Sequence, residues 1–533
     1  MSSTPATTSS KHPKGLYLLF FTEMWERFGF YLMLGILYLY MTDGLKGGLG
    51  FGDGQANDIY GTYIALVYLT PFIGGLLADR IFGYRKTIIA GGLLMAAGYL
   101  TLSMPGPTAF AIALFLIIIG NGLFKPNIST LLGNLYNKPE YVKLKDKGYN
   151  IFYMGINIGA FVCNFVAAYM QIKYGWGYAF AAAGIGMLIG VIVFISGNKH
   201  IKEADVIKPL QPGDMGTGKI LLSTIVPMFV FGILGYLIPG NLLGTDTNDA
   251  FIFGCIPVVA FFIYLYVSAN EEDKRPIGAL LAVFGCLVIF WAVFHQNGDA
   301  LTVFAKDHTD REMPLAISNV ADNMNMAETV TNNGVNTDAN SASYFESMAP
   351  ENVPAEGGSM KLYSTQLYQS INPGWVILLT PLIVALWAFM RGRKKEPTTP
   401  TKIAIGLVIT ALSALVMVGA VLATNNLESK ASSWWLIASY GVITFGELCL
   451  SPMGLSLVSK LSPPRITALM MGGFFLSTSV GNKLSGMLSG LWEGFEDKTH
   501  FFYMNFGLAM AAALMLFLLL RWLNAVMREK NIY

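Results

Sequence analysis

Runs of about 20 consecutive apolar residues recur along this chain, from one centred near Phe28 to one near Leu514, and about fourteen can be marked. As a helix, each is long enough to cross a hydrocarbon core of about 30 Å. Lipid offers no partners to backbone amides, so a spanning chain is either a set of helices or a closed barrel. The runs are continuous and show no period of two, which excludes the barrel. Composition agrees, with 54% hydrophobic and 13% charged residues, against about 25% charged in soluble domains. The expected fold class is an all-α membrane protein with about 14 spans.

Lys and Arg set the expected orientation. "DRIFGYRK" (Asp79 to Lys86), "NKHIKEADVIK" (Asn198 to Lys208), "RGRKKE" (Arg391 to Glu396) and the closing "REK" all fall on one side of the spans. That side is taken as the cytoplasm, with both termini on it. The expected location is the plasma membrane (the bacterial inner membrane), crossed many times and in contact with its lipids. The start "MSSTPATTSSKHPKG" leads into a run too long for a signal core, so no cleavable signal is expected. Opposite loops are short except Lys306 to about Thr365, which is acid-biased and rich in Asn and Ser. It reads as an external polar insertion that need not be ordered throughout.

Several function classes find no support. Cys163, Cys255, Cys286 and Cys449 lie within apolar spans and read as small buried hydrophobes. There is no Walker loop, no His/Glu zinc pair and no GxSxG elbow. No cofactor, metal, enzymatic activity or nucleic-acid partner is expected.

Charges near a bilayer centre cost a few kcal/mol, so they face a bundle interior or an aqueous cavity. "EMWERFGFY" places Glu23, Glu26 and Arg27 at i, i+3 and i+4, on one helical face continued by Phe30 and Tyr31. Arg27 can neutralise one carboxylate, and the second acid is a candidate proton carrier; an ion-pair lock is the alternative. Lys125 precedes Pro126, and Glu447 sits in a similar context before Ser451 and Pro452. On opposite bundles this Lys and this Glu could bind a zwitterion, carboxylate to Lys125 and ammonium to Glu447, or simply tie two helices together. His295 and Asn372 are further polar groups within spans. Lys483 is expected to snorkel to the outer interface.

"GGLLADRIFGYRK", Gly74 to Lys86, resembles the loop signature of the major facilitator superfamily. That resemblance implies a latch formed by Asp79 with Arg80, Arg85 and Lys86, and two pseudo-symmetric six-helix bundles that rock around a midplane site. The expected divisions are 1–200 for the N-terminal bundle, 201–275 for a cytoplasmic linker with two inserted transmembrane helices, and 276–533 for the C-terminal bundle with the acidic insertion at about 306–365.

The resemblance narrows further. "EMWERFGFY", "FYMGINIGA" (Phe152 to Ala160), "GLFKPNIS", "FWAVFHQNG" (Phe290 to Gly298), "QSINPGW" (Gln369 to Trp375) and "GELCLSPMGLSLVSKLSP" resemble, in order, motifs of the proton-coupled oligopeptide transporter (POT/PTR) family. That implies a proton-driven symporter of di- and tripeptides, functional as a monomer and drawing on the proton gradient alone. The resemblance assigns Glu23, Glu26, Arg27 and Lys125 to proton coupling. It assigns Tyr31, Tyr68, Lys125, Asn157, Trp291, Asn372, Glu447 and Ser451 to the peptide, with Glu447 on its amino group.

Departures from the family pattern are Phe30 where a second tyrosine is common, Leu34 where an Arg is frequent, Phe474 for Trp, and His295 for an acid. Imidazole titrates near pH 6.5, so His295 is expected to load protons from outside and to work against a carboxylate on a facing helix. Competing readings are a carrier of nitrate or another small anion, which Glu447 disfavours, and a pH or peptide sensor that does not transport.

Overall fold

The apolar runs fold as long helices because in lipid only a helix pairs every backbone group within its own segment. In the computed structural model, described for residues 11–530 except 45–46, 142–143, 208–215, 298–299, 314–326, 333–343, 346, 349, 464–465 and 493, fourteen helical rods cross the fold. They are α1 (Lys14–Thr42), α2 (Asp53–Leu69) running on into α3 (Pro71–Leu77), α4 (Tyr84–Leu102), α5 (Pro107–Leu135), α6 (Lys145–Tyr174) and α7 (Trp176–Ser196). Then come α8 (Thr217–Tyr236), α9 (Asp246–Ser268), α10 (Glu271–Phe294), α11 (Ile371–Gly392), α12 (Thr399–Ala423), α13 (Ser433–Leu461), α14 (Thr467–Ser489) and α15 (Lys498–Glu529).

Among the described residues, 11 helices qualify as membrane spans by length and composition alone. The other three rods fall short for a chemical reason. α1 carries Glu23, Glu26 and Arg27, α4 opens on Arg85 and Lys86, and α14 is rich in Ser, Thr and Asn and holds Lys483. Charged and polar groups, inside the bundle on α1 and α14 and at the helix start on α4, lower the hydropathy of the helices that carry them.

Helices α1 to α7 form one bundle, in which α1 packs on α6 and α7, and α4 packs on α5 and α7. Helices α10 to α15 form the second, with α12 against both α13 and α15, and α10 against α14. Between them in sequence, α8 and α9 pair as a hairpin whose outer side chains, such as Leu222, Phe229 and Ile263, are exposed as a lipid-facing surface would be. The bundles meet along α2 and α3 with α14, and along α6 with α11.

The acidic insertion is more regular than its composition suggests. Strands β2 (Ala327–Thr331) and β3 (Ser359–Tyr363) pair antiparallel, and β1 (Thr309–Asp310) pairs parallel with β4 (Ala431–Ser432) just before α13. Arg311 holds the ribbon together, donating to Glu328 at 3.0 Å and to the Tyr363 carbonyl at 2.8 Å. Most of the linker "QPGDMGTG" lies outside the described residues.

Candidate functional site

Glycine faces on α6 and α7 clamp α1. Gly155 and Gly159 lie against Phe20 and Met24, and Gly186 and Gly190 against Trp25 and Phe28. A Cβ at Gly159 would fall 2.3 Å from the Met24 carbonyl oxygen, so no larger residue permits this approach. The clamp turns the polar face of α1 inward, and Glu23, Glu26 and Arg27 are all buried.

Arg27 grips Glu26 with both arms of its guanidinium. Nη2 donates to Oε1 at 2.5 Å and Nε donates to Oε2. Nη2 also reaches Asn121 Oδ1 on α5 at 3.4 Å. Glu23 is the looser partner, with Oε1 3.4 Å from Arg27 Nε. Its Oε2 is buried without a hydrogen bond among the described residues. Glu23 lines the central cavity; Glu26 does not. Two acids one turn apart are thus chemically unequal.

That cavity has a volume of about 260 Å³ and lies between the bundles, a size suited to a small solute rather than a polymer. The first bundle contributes Glu23, Arg27, Tyr31, Tyr68, Lys125 and Asn157 of the residues singled out in the sequence. Trp291, His295, Asn372, Glu447 and Ser451 come from the second. Lys125 Nζ stands 3.7 Å over the centre of the Tyr68 ring and makes no ion pair among the described residues. Glu447 is held across the bundle interface: Oε1 accepts from Tyr153 Oη of α6 at 2.5 Å, and Oε2 accepts from Asn372 Nδ2 at 3.1 Å. A direct Lys125–Glu447 tie is therefore not what joins the bundles. Further along the same seam, Asn164 Nδ2 donates to Ser370 Oγ at 3.1 Å.

Six buried polar atoms on cavity-lining residues lack hydrogen bonds among the described residues: Glu23 Oε2, Asn164 Oδ1, Trp291 Nε1, His295 Nε2, Ser451 Oγ and Asn482 Nδ2. An unmet buried polar group costs about 1–3 kcal/mol, so six on one cavity mark a space built for a polar guest.

Two expectations need correction. His295 does not face a carboxylate among the described residues; aromatic rings enclose it. Its ring stacks on Trp291 at 5.2 Å between centroids, with Tyr68 at 6.2 Å and Phe294 at 5.4 Å. Lys483 does not snorkel. Its side chain is 3% exposed, and Nζ lies 3.7 Å from Asp58 Oδ1 on α2 and donates to Thr62 and Thr247 at 3.2 and 3.5 Å. Asp58 also accepts from Thr245 at 3.3 Å and from Thr247. The cluster joins α2 of the first bundle, α14 of the second and the inserted α9.

The latch residues are not among those lining the cavity. Asp79 accepts from the Tyr84 hydroxyl. Arg85 Nε pairs with Asp205 at 3.0 Å, and the amides of Tyr84 and Arg85 also donate to Asp205. Arg80 follows Asp79 in the same turn, and Lys86 is exposed. Asp205, Asp58, Asn121, Tyr153 and Asn482 escaped the sequence reading. Only Tyr153 carried a usable signal, lying one helical turn before Asn157 in the same motif.

The model of the POT family (PTR2) matches residues 85–326 and 340–504. The chain belongs to the POT family. It is 33% identical over 509 residues to the uncharacterized transporter YclF of Bacillus subtilis, covering 94% of this chain and 92% of that protein. A di-/tripeptide transporter of Lactococcus lactis is 30% identical over 502 residues, 92% and 91% of the two chains. Among solved structures, a peptide transporter POT in complex with sulfate superposes with a TM-score of 0.74 at 30% identity, covering 98% of each chain. A POT family transporter in complex with 5-aminolevulinic acid gives 0.73 at 25% identity, covering 98% of this chain and 99% of the other. The POT fold accounts for the two bundles and the inserted hairpin, and the chain is a membrane transporter, not an enzyme.

Proposed function

We propose that this protein is a proton-coupled symporter that imports di- and tripeptides across the plasma membrane by alternating access. The observation that carries the reading is the separation of Lys125 and Glu447 on facing walls of one cavity between the bundles, each free of the other. A peptide is a zwitterion, and these groups match its two poles: carboxylate towards Lys125, ammonium towards Glu447. 5-Aminolevulinic acid, bound by a structural relative, carries the same pair of charges.

Coupling follows from the inequality at α1. Arg27 is committed to Glu26, which leaves Glu23 as the carboxylate that can gain or lose a proton beside the substrate. An arriving ammonium competes with Tyr153 for Glu447, so substrate binding acts on a hydrogen bond that spans the two bundles. Tyr31, Asn157, Trp291, Asn372 and Ser451 complete the peptide site, and His295 adds a titratable group at its α10 wall. Residues 1–200 and 276–533 are the rocking bodies, with 201–275 between them, and Asp79, Arg80, Arg85 and Lys86 brace the cytoplasmic end. Both termini face the cytoplasm, and a monomer in lipid is the working unit.

A carrier of nitrate is disfavoured because Glu447 would repel an anion. The test is dialanine uptake in proteoliposomes, with and without an inward pH gradient, in competition with peptides, amino acids and nitrate. Gradient-stimulated dialanine uptake that nitrate does not inhibit is expected. No uptake under any gradient would leave a sensor, and inhibition by nitrate alone would point to an anion carrier.

A further inference from the structure

One wall of the cavity is built differently from the rest. α10 ends on Trp291 and Phe294 with His295 just beyond, and α14 packs closely on it: a Cβ at Gly481 would lie 2.4 Å from Trp291 Cβ. That contact brings the next residue, Asn482, to the same wall. Trp291 Nε1 and Asn482 Nδ2 are both hydrogen-bond donors, buried in residues only 9% and 5% exposed, and neither has a partner among the described residues. His295 Nε2 is the third unmet atom. The indole N–H can only donate, so the group that satisfies it must accept.

The wall also has a direction. Lys125 stands over Tyr68, Tyr68 lies 6.2 Å from His295, and His295 stacks on Trp291 at 5.2 Å. The donors thus continue in a strip from the ammonium assigned above to the peptide carboxylate. Neither α10 nor α14 brings a carboxylate to the cavity; its two acids, Glu23 and Glu447, belong to α1 and α13. The side chain of a peptide's last residue leaves from the carbon bearing that carboxylate, which places this strip within its reach.

We propose that the α10–α14 wall is a side-chain subsite that selects peptides whose C-terminal residue carries acceptor oxygens, glutamate and aspartate foremost. The inference rests on the peptide-transport reading above. A glutamate side chain there accepts from Trp291 and Asn482 and, when His295 carries its proton on Nε2, from the imidazole as well. A lysine side chain offers only donors to donors and leaves all three unmet.

The experiment is counterflow of labelled dialanine in proteoliposomes, with no pH gradient, inhibited by Ala-Glu, Glu-Ala, Ala-Gln and Ala-Lys. Ala-Glu should inhibit at a concentration at least about tenfold below that of Ala-Lys, the worth of one charge-assisted hydrogen bond. Glu-Ala should show no such advantage, because its side chain projects from the other end. Trp291→Phe and Asn482→Leu should each shrink the Ala-Glu advantage over dialanine by several-fold. Equal inhibition by Ala-Glu and Ala-Lys in the unaltered protein would overturn the proposal, whatever the variants do. So would variants that weaken all dipeptides by one common factor, since the donors would then serve the backbone carboxylate. Absence of dialanine counterflow in the unaltered protein would overturn the transport reading and this inference together.

Discussion

Replacing Glu447 with Gln keeps the side-chain size, removes the charge and turns one acceptor oxygen into an amide donor. In the structure two of the carboxylate's acceptor sites are used, by Tyr153 at 2.5 Å and Asn372 at 3.1 Å. A carboxylate offers about four, so about two remain for a guest. A peptide ammonium filling them forms hydrogen bonds to a charged group, worth about 1.5–3 kcal/mol. At about 1.4 kcal/mol per decade, affinity should fall roughly 10- to 150-fold. The fold should be spared, because a Gln oxygen still accepts from Asn372, and a tyrosine hydroxyl can accept from the new amide. The assay is inhibition of dialanine counterflow by free and N-acetylated dipeptides. Acetylation removes the ammonium, so it should cost the unaltered protein most of this affinity and cost Glu447→Gln little further. Undiminished discrimination against acetylation in Glu447→Gln would refute the assignment of the amino pole.

Glu23→Gln fixes a neutral group at the unpaired acid; gradient-driven uptake should collapse while gradient-free counterflow persists at least in part. Equal loss of both in a folded variant would make Glu23 structural or a direct peptide ligand. Lys483→Met strands Asp58 and should destabilise the protein, seen as a lower thermal midpoint in detergent, with a free-energy cost below the about 3–5 kcal/mol of a fully buried pair because the Asp58 side chain is 25% exposed. Adding Asp58→Asn should recover part of that loss, and simple additivity of the two would mean the residues are not coupled. Between α11 and α12, the hydrogen bond from Arg391, with Lys402 helping, holds the Glu396 carboxyl down to about 2, below its ordinary 4.5. A depressed carboxylate stabilises the fold above about pH 4.5 and loses that contribution as pH falls towards 2. The thermal midpoint of Glu396→Gln should therefore change less than that of the unaltered protein between about pH 5 and 3.

What the sequence revealed and what it hid divide along a physical line. Apolar runs of helix length settle the number of rods, because membrane burial is a local property of each run. The asymmetry of one base and two acids in "EMWERFGFY" is also local, and it correctly marks a group of side chains that face inward. Lys483 shows the limit. A polar residue near a span end can snorkel or find a partner, and only the approach of α2, α9 and α14 decides between them. The same holds for Asp205, which lies 120 residues from Arg85, and for Asn482, whose unmet amide matters only because Gly481 admits Trp291. The ribbon within the acidic insertion stayed out of view for a different reason. The β2–β3 pairing depends on one buried cation, Arg311, and composition does not report single residues.

Proline explains why Arg27 chooses one acid over the other. Pro71 opens α3 and has no N–H, so the carbonyl of Val67, four residues earlier, loses its helical donor. Asn121 of α5 supplies one, Nδ2 to Val67 oxygen at 2.9 Å. Thr70 adds a bond to the Ile118 carbonyl at 3.0 Å, and Asn127 another to Gly74 at 3.1 Å, so the α2–α3 break is sewn to α5. Fixing Asn121 Nδ2 in this way also fixes its Oδ1, which is the atom that meets Arg27 Nη2. With one arm directed at Asn121, the guanidinium can fork onto Glu26 but reaches Glu23 only through Nε at 3.4 Å. The inequality of the two acids thus begins at a proline on another helix, in a seam belonging wholly to the first bundle. A rocking motion that carries that bundle as a body leaves the seam intact, while Tyr153–Glu447, Asn164–Ser370, Ser479–Ala65 and Lys483–Asp58 are among the bonds that cross between the bundles and that such a motion strains.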